Sequence, residues 1–348
     1  MVARSAEQAP AVSKPAVLAA CTTAIGDTVL CTPALVALGQ VYAVDVLVHQ
    51  HRLPLLEGNP FLRQLLPYRN NPLQRVILAT RLAPRRYEHV IVLHANHDLV
   101  QLLPFLRYRD AVNIQGWNLP RQRMTELSVT EGRHVVHKRL EMAHWAGAQT
   151  HPDHPWMRVF LSAQELDQAE AWLTARGMPA ERPRVGMVLG ASHVFKRWPA
   201  ERFGRVAAAL RRQGAEVLLI GGKHELYLAE LANRAAGGGL KDGHELGMRQ
   251  LAAVLARLDI LVSNDTGPLH LAQAVDTPVL GLFGPTDPIT IGPRGPMHGY
   301  IKVPVTCDPC LTKTCPDAKC LLAMEEGQVL AEVERMLARP QYRLENRS

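Results

Sequence analysis

Short apolar runs alternate with helix-period stretches along most of this chain. In the first half, Ala16 to Cys21 (AVLAAC) predicts a buried strand and the stretch from Asp27 onward (DTVLCTPALVALGQ) a helix. Val44 to Val48 and His89 to Leu93 predict further strands, and Gly132 to Ala148 and Ala163 to Arg176 predict helices. The second half is more regular. Strands are expected over Arg184 to Leu189, Ala215 to Ile220, Leu258 to Val262 and Pro278 to Phe283. Helices are expected over Ala200 to Gln213, His224 to Ala236 and Pro268 to Val275, with a last one from Met324 to Leu337. Short strands that are apolar throughout and separated by helices predict parallel sheets covered on both faces. With 348 residues the chain is long enough for two such α/β, doubly wound domains. A Pro/His-rich break at Thr150 to Pro155 places their junction near residues 150–183, and residues 1–14 read as a loose tail.

Composition narrows the class. Hydrophobic residues at 47% and charged residues at 20% exclude a disordered or fibrous chain. No uninterrupted apolar window approaches the ~18 residues of a membrane span, and no apolar leader with a cleavage site is evident. The expectation is a cytoplasmic protein. The net charge of +7 is concentrated: residues 61–140 hold thirteen Lys and Arg against five Asp and Glu, and the rest of the chain is close to neutral. Nucleic acid, an anionic membrane surface or a phosphorylated substrate would each suit that charge. Aromatic residues at 5% are sparse for base stacking, and no nucleic-acid-binding motif is present, so no nucleic acid partner is expected.

In doubly wound sheets ligands bind beyond the carboxyl ends of the strands, and four loops there carry chemistry. Gly26-Asp27 follows the first strand; Asp27 reads as a helix N-cap or as a general base at the cleft. Gly190 to Pro199 (GASHVFKRWP) offers a glycine turn, the Ser192 hydroxyl and the cations Lys196 and Arg197 ahead of a helix, a set that suits a phosphate group. Gly221-Gly222-Lys223-His224-Glu225 places a carboxylate where ribose hydroxyls are held in nucleotide crevices. Ser263 to His270 (SNDTGPLH) gives Asn264 or Asp265 as a cap, and Pro268 suits a first helical turn. The amides of Thr266 and Gly267 would then face an anion. No Walker A loop or G-x-G-x-x-G follows the first strand, which argues against an NTPase or a nicotinamide enzyme. No D-x-D occurs, so a carboxylate pair for a diphosphate-bound metal is missing.

Those four blocks, in that order, resemble glycosyltransferase family 9, the lipopolysaccharide heptosyltransferases. The resemblance is carried by Ile25-Gly26-Asp27 with Thr32-Pro33-Ala34-Leu35, by Lys196-Arg197-Trp198-Pro199 with Arg202-Phe203, and by Ser263 to His270 followed by Leu282 to Pro288 (LFGPTDP). It implies a GT-B fold of two facing Rossmann-like domains. Residues 1–165 would bind the acceptor and 180–323 the nucleotide-sugar donor, and a C-terminal helix within 324–348 would pack back on the first domain. It implies an inverting transfer of heptose from ADP-heptose to the lipopolysaccharide inner core, with no metal and no cofactor. Asp27 would be the catalytic base and Lys196 would hold the donor phosphates. Glu225 would take the ribose, Thr266 and Gly267 the diphosphate, and Asp265 and His270 the sugar; Gly26, Ser192, Arg197 and Gly222 complete the expected donor site.

A lipid A/Kdo-type glycolipid is the expected acceptor, met by Arg85, Arg86, Arg107 and Arg109 at the inner face of the cytoplasmic membrane. The chain departs from the family pattern in three places, one of them the individual stretch Ser192 to Phe195. Cys21 to Ala24 lack the basic residue common before the Gly-Asp pair, and Leu189 stands where proline is common. A family member using another nucleotide sugar for O-chain or capsule assembly is the alternative enzyme, and a non-catalytic basic protein that binds nucleic acid or an anionic surface is the alternative of another class. Cys307, Cys310, Cys315 and Cys320 crowd one segment and read as a zinc site, a disulfide or reduced thiols.

Overall fold

A computed structural model describes residues 14–94, 101–114, 124–130, 132–307, 310, 315 and 318–339; all of the expected loose tail except Lys14 lies outside the described residues. The first half builds one parallel sheet from β1 (Ala16–Cys21), β2 (Ala43–His49), β3 (Leu62–Tyr68), β4 (Arg86–His94), β5 (Arg107–Ile114) and β6 (Met124–Leu127). Its order is β3-β2-β1-β4-β5-β6. The second half repeats the winding with β7 (Arg184–Val188), β8 (Glu216–Ile220), β9 (Lys241–Asp242), β10 (Ile260–Asn264), β11 (Val279–Leu282) and β12 (Gly299–Ile301), ordered β12-β11-β10-β7-β8-β9. Each sheet therefore reverses its winding once, between β1 and β4 and between β7 and β10.

The helices of the first half are α1 (Ile25–Leu30), α2 (Thr32–Val41), α3 (Pro72–Leu82) and α4 (Val135–Trp145). Then come α5 (Ala163–Ala175), α6 (Ala200–Arg212), α7 (Leu226–Ala235), α8 (Met248–Leu255), α9 (Gly267–Gln273), α10 (Pro288–Ile291), α11 (Lys319–Leu322) and α12 (Glu326–Leu337). No helix of the described residues is long and apolar enough to cross a membrane.

The central strands are buried on both faces, which is why they read as continuous apolar runs. Along β4, Val90 and Val92 enter one layer and Ile91 and Leu93 the other. The strands that the apolar pattern leaves unassigned lie away from the centre. β3 and β5 expose polar positions over much of their length, and β9 and β12 have two and three residues. The single helix expected from Asp27 is two, broken at Cys31. Pro33 has no N–H to give to the Val29 carbonyl, and the Thr32 hydroxyl donates to that carbonyl instead (2.7 Å).

One apolar cluster runs from β1 and α2 through to α8, α9 and β11, so the two halves share a core. Polar contacts cross the same seam: Arg249 donates to the Glu57 carbonyl (2.9 Å), and the His134 ring meets the Gly292 carbonyl (3.0 Å). The C-terminal helix departs from expectation. Instead of returning to the first sheet, α12 buries Val329, Val333 and Met336 in the core of the second, with Trp198, Phe203 and Leu280. Trp198 donates from its indole to the Met324 carbonyl (3.1 Å), and Arg205 pairs with Glu326 (2.7 Å), which fixes the helix there.

Asp45 is a buried carboxylate in the middle of β2. It accepts two hydrogen bonds from Arg63 (2.8 and 2.7 Å), one from Arg85 (2.6 Å) and one from Tyr87 (2.9 Å). Burial pushes this carboxyl up, but the bonds from Arg63, Tyr87 and Arg85 outweigh burial and hold it below the usual carboxylate range. Asp45→Asn should lower the unfolding free energy by about 2–3 kcal/mol near neutral pH, the scale of charged hydrogen bonds lost from a buried site. A depressed carboxyl stabilises the fold above its unfolded pKa of about 4, and that stabilisation is lost as pH falls through the folded value. Urea unfolding at pH 7 and at pH 3 should therefore show the gap between wild type and variant shrinking in acid.

Candidate active site

The two switch points place loops from both sheets against one another. α1 follows β1 and α9 follows β10, and the amino ends of these helices touch. A Cβ added to Gly26 would lie 2.9 Å from Cδ2 of His270, and one added to Gly267 would lie 2.9 Å from Cβ of Ile25. Neither position has room for a side chain, so both expected glycines serve the joint between the halves.

Asp27 stands one residue beyond Gly26. It is not the N-cap: Ala24 occupies that position, and Asp27 is the third residue of α1. Arg139 on α4, almost wholly buried, grips it twice, donating to the carboxylate Oδ1 (2.9 Å) and to the backbone carbonyl (3.0 Å). Thr23 donates to Oδ2 (3.2 Å), and Nε2 of His94, at the carboxyl end of β4, lies 3.6 Å from Oδ1. The same Thr23 oxygen is 2.5 Å from Nδ1 of His94, so the hydroxyl links the two. Burial pushes the Asp27 carboxyl up, but the Arg139 charge, then His94, and the hydrogen bonds from Arg139 and Thr23 together hold it below the usual range. Burial lowers His94 as well, against the pull of Asp27. At neutral pH the site thus presents an ionised carboxylate, about a quarter exposed, beside a neutral imidazole. Arg139, His94 and Thr23 were not among the residues expected here. Their only trace in the sequence is an arginine within a helical pattern and a histidine closing an apolar run.

Across the joint, the loop after β7 is pinned at both ends by Asn264 of β10. Its amide donates to the Leu189 carbonyl (2.7 Å) and its oxygen accepts from the Trp198 N–H (3.0 Å). Neither Asn264 nor Asp265 caps α9: Thr266 is the N-cap and makes no side-chain cap bond. Asp265 instead accepts from Lys196 Nζ (2.7 Å). Arg197 points back into its own loop, donating to the Ala191 carbonyl (2.8 and 3.1 Å) and the Tyr227 hydroxyl (2.8 Å), while Ser192 is exposed.

His270 is buried in the joint, with Asp265, Asp27, Arg139 and Lys196 all near enough to act on it, and its Nδ1 has no partner among the described residues. Desolvation lowers its pKa, with Asp265 and Asp27 opposing. Glu225 lies in a glycine cradle. One carboxylate oxygen accepts the Gly222 N–H (2.9 Å), and a Cβ on Gly190 would fall 1.7 Å from the other.

The four arginines expected to meet an acceptor lie elsewhere. Arg86 opens β4 and is in register with Arg107, which opens β5; both are exposed at the amino end of the sheet. His94 closes β4 eight residues later, about 26 Å away at the rise of a strand. Arg85 is committed to Asp45 and Gln64, and Arg109 to Glu88 and Asp110. Clustering in sequence brought them together, but a long strand carries its two ends to opposite rims. The rim cations on the Asp27 side that follow β2 and β3 are Arg52 and Arg69.

The four late cysteines border one small cavity with Phe195, Gly284 and Pro285, beside the Lys196 loop, and none is in a disulfide. The other residues between Cys307 and Cys315, and 316–317, lie outside the described residues. Among the described residues no three His, Cys, Asp or Glu side chains converge as a metal site.

Comparison with known proteins agrees with this architecture. The model of glycosyltransferase family 9 (heptosyltransferase) matches residues 110–321. Lipopolysaccharide heptosyltransferase 3 of Escherichia coli K12 is 26% identical over 285 residues, covering 75% of this chain and 80% of that protein. A family 9 glycosyltransferase structure from Veillonella parvula superposes with a TM-score of 0.80 at 20% identity, over 94% of this chain and 98% of that one. The Escherichia coli ADP-heptose lipopolysaccharide heptosyltransferase II structure gives 0.76 at 20% identity, over 92% and 98%. Two sheets of the same winding, joined at their carboxyl rims, and a family match over more than half its length identify this chain as a member of glycosyltransferase family 9, a glycosyltransferase of GT-B fold.

Proposed function

We propose that this glycosyltransferase moves heptose from ADP-heptose to the inner core of lipopolysaccharide, inverting the anomeric centre without a metal. The observation that carries this reading is Asp27: an ionised, partly open carboxylate at the seam between the halves, with Lys196 and the start of α9 contributed from the other side. The named relatives, lipopolysaccharide heptosyltransferases among them, support the donor and the acceptor class.

In this mechanism the acceptor hydroxyl attacks the anomeric carbon as its proton passes to Asp27. The bond from that carbon to the diphosphate oxygen breaks, and ADP leaves with the electron pair. Lys196 exchanges its partner: the donor diphosphate takes the place of Asp265 at Nζ, and the freed Asp265 accepts from sugar hydroxyls. Growing charge on the leaving group is met by Lys196 and the amides of Thr266 and Gly267, which act most strongly in the transition state. Glu225 in its glycine cradle takes the ribose hydroxyls. Arg139 positions the base, and its charge keeps Asp27 ionised at the expense of basicity. Anionic groups of the acceptor fall to Arg52 and Arg69 on the active rim, not to the arginines at the far end of the sheet.

Asp27→Asn should lower turnover by about 10²–10⁴-fold, the usual worth of a positioned general base, with ADP affinity by calorimetry unchanged. Lys196→Ala should cost about 10²–10³-fold and weaken ADP as well. Turnover of the Asp27 variant near wild type would remove the base assignment, and tighter binding of UDP or GDP than of ADP would favour the other nucleotide sugars.

Because Arg139 holds Asp27 down, the rate should fall only in strong acid, where the base takes up a proton. Arg139→Met lets the carboxyl rise, so the acid limb of kcat/KM should move to higher pH. An unmoved limb in a folded variant would separate Arg139 from the base. Dialysis against a chelator should leave the rate of the wild-type protein unchanged.

A further inference from the structure

Helix α3 carries apolar residues on two opposite faces. Leu78 and Leu82 are buried in the layer that covers the first sheet, with Leu66 and Val90. Leu73, Val76 and Ile77 fall on the outer face, at i, i+3 and i+4, and are 67%, 60% and 45% exposed. Beside them runs an open groove of about 500 Å³, walled by Val76, Ala79 and Thr80 on one side and by Leu102 and Phe105 on the other. Phe105 is itself 61% exposed. Contiguous apolar surface of this kind on a soluble face marks a place of contact.

Along the stretch of sequence that carries α3 the charge is of one sign. Between Glu57 and Glu88 the chain has six arginines and no acidic residue. Arg63 and Arg85 are neutralised by Asp45. Arg69 and Arg81 are exposed and meet no carboxylate among the described residues. A second copy of this face would bring arginine against arginine. A surface that is negative and apolar beneath would satisfy both features.

We propose that this face docks on an anionic lipid bilayer, with Leu73, Val76, Ile77 and Phe105 entering the boundary between headgroups and acyl chains and the arginines meeting the headgroups. α3 begins just past the carboxyl end of β3, on the rim that holds Asp27 and His94. Docking there brings the acceptor side of the cleft toward the membrane. The proposal rests on the reading above, in which the acceptor is a membrane glycolipid, but its test uses neither donor nor acceptor and so succeeds or fails separately from transfer.

The full chain is sedimented with vesicles of phosphatidylcholine alone and with vesicles containing about one-third phosphatidylglycerol. It should bind the anionic vesicles and lose that binding in high salt. The double variant Val76→Asp, Ile77→Asp should bind at least about ten-fold more weakly, given the apolar transfer lost, and Arg81→Glu about five-fold or more. Both positions are exposed, so thermal unfolding should stay at the wild-type midpoint and confirm the fold. Failure to bind either vesicle, or binding that the variants leave intact, would overturn the proposal. So would a dimer in sedimentation velocity that the double variant turns into a monomer, since a second copy would then cover the face.

Discussion

The amino ends of α1 and α9 meet with no side chain between them, and much of the active-site geometry depends on that contact. Gly26 lies against His270, and Gly267 against Ile25. Each half supplies its own loop at the carboxyl end of its own sheet, yet neither loop alone is a site. α1 is six residues long and has no side-chain cap. Its direction is therefore set from outside, by the joint and by Arg139, which holds both the carbonyl and the carboxylate of Asp27. A methyl group at either glycine would push the halves apart just where the proposed base reaches across.

The ion pairs of the cleft differ in kind. Asp27 and Arg139 form a pair whose arginine is buried; removing one partner strands a charge, so the pair acts as a fixed part of the frame. In the Lys196–Asp265 pair the carboxylate is buried and the lysine is about a quarter exposed, so a ligand of higher negative charge can compete for the ammonium. In the proposed displacement the first pair holds the base and the second yields its lysine to the diphosphate. Buried, neutral His270 lies between the pairs and is influenced by both.

What could be read in advance follows burial. β1, β4, β7 and β10 are enclosed on both faces and stand out as apolar runs, whereas β3 and β5 are half polar because their outer positions are exposed. Asp27, Lys196 and Glu225 were legible because each follows such a run in a glycine-bearing loop. Arg139, His94 and Thr23 were not, because an arginine in a helix reads as solvent-facing until the fold turns it inward. The four arginines of residues 85–109 show the opposite error. They are close in sequence, but the strand between them and the rim is long, and two of them are occupied by carboxylates of the first domain. The last helix was recognised as a helix, yet its apolar stripe does not say which sheet it covers; Trp198 and Arg205 decide that.

The sequence by itself determined the alternation of buried strands and helices, the loops that follow them and the residue types those loops present, because burial periodicity and turn chemistry are local properties. Only the tertiary structure decided which loops meet, which charges are neutralised and which rim each arginine occupies. Those depend on distances between residues far apart in the chain: Asp27 and Arg139 are 112 positions apart and 2.9 Å from one another. Pairing across such a span is fixed by how the sheets wind and pack, and no local pattern encodes it.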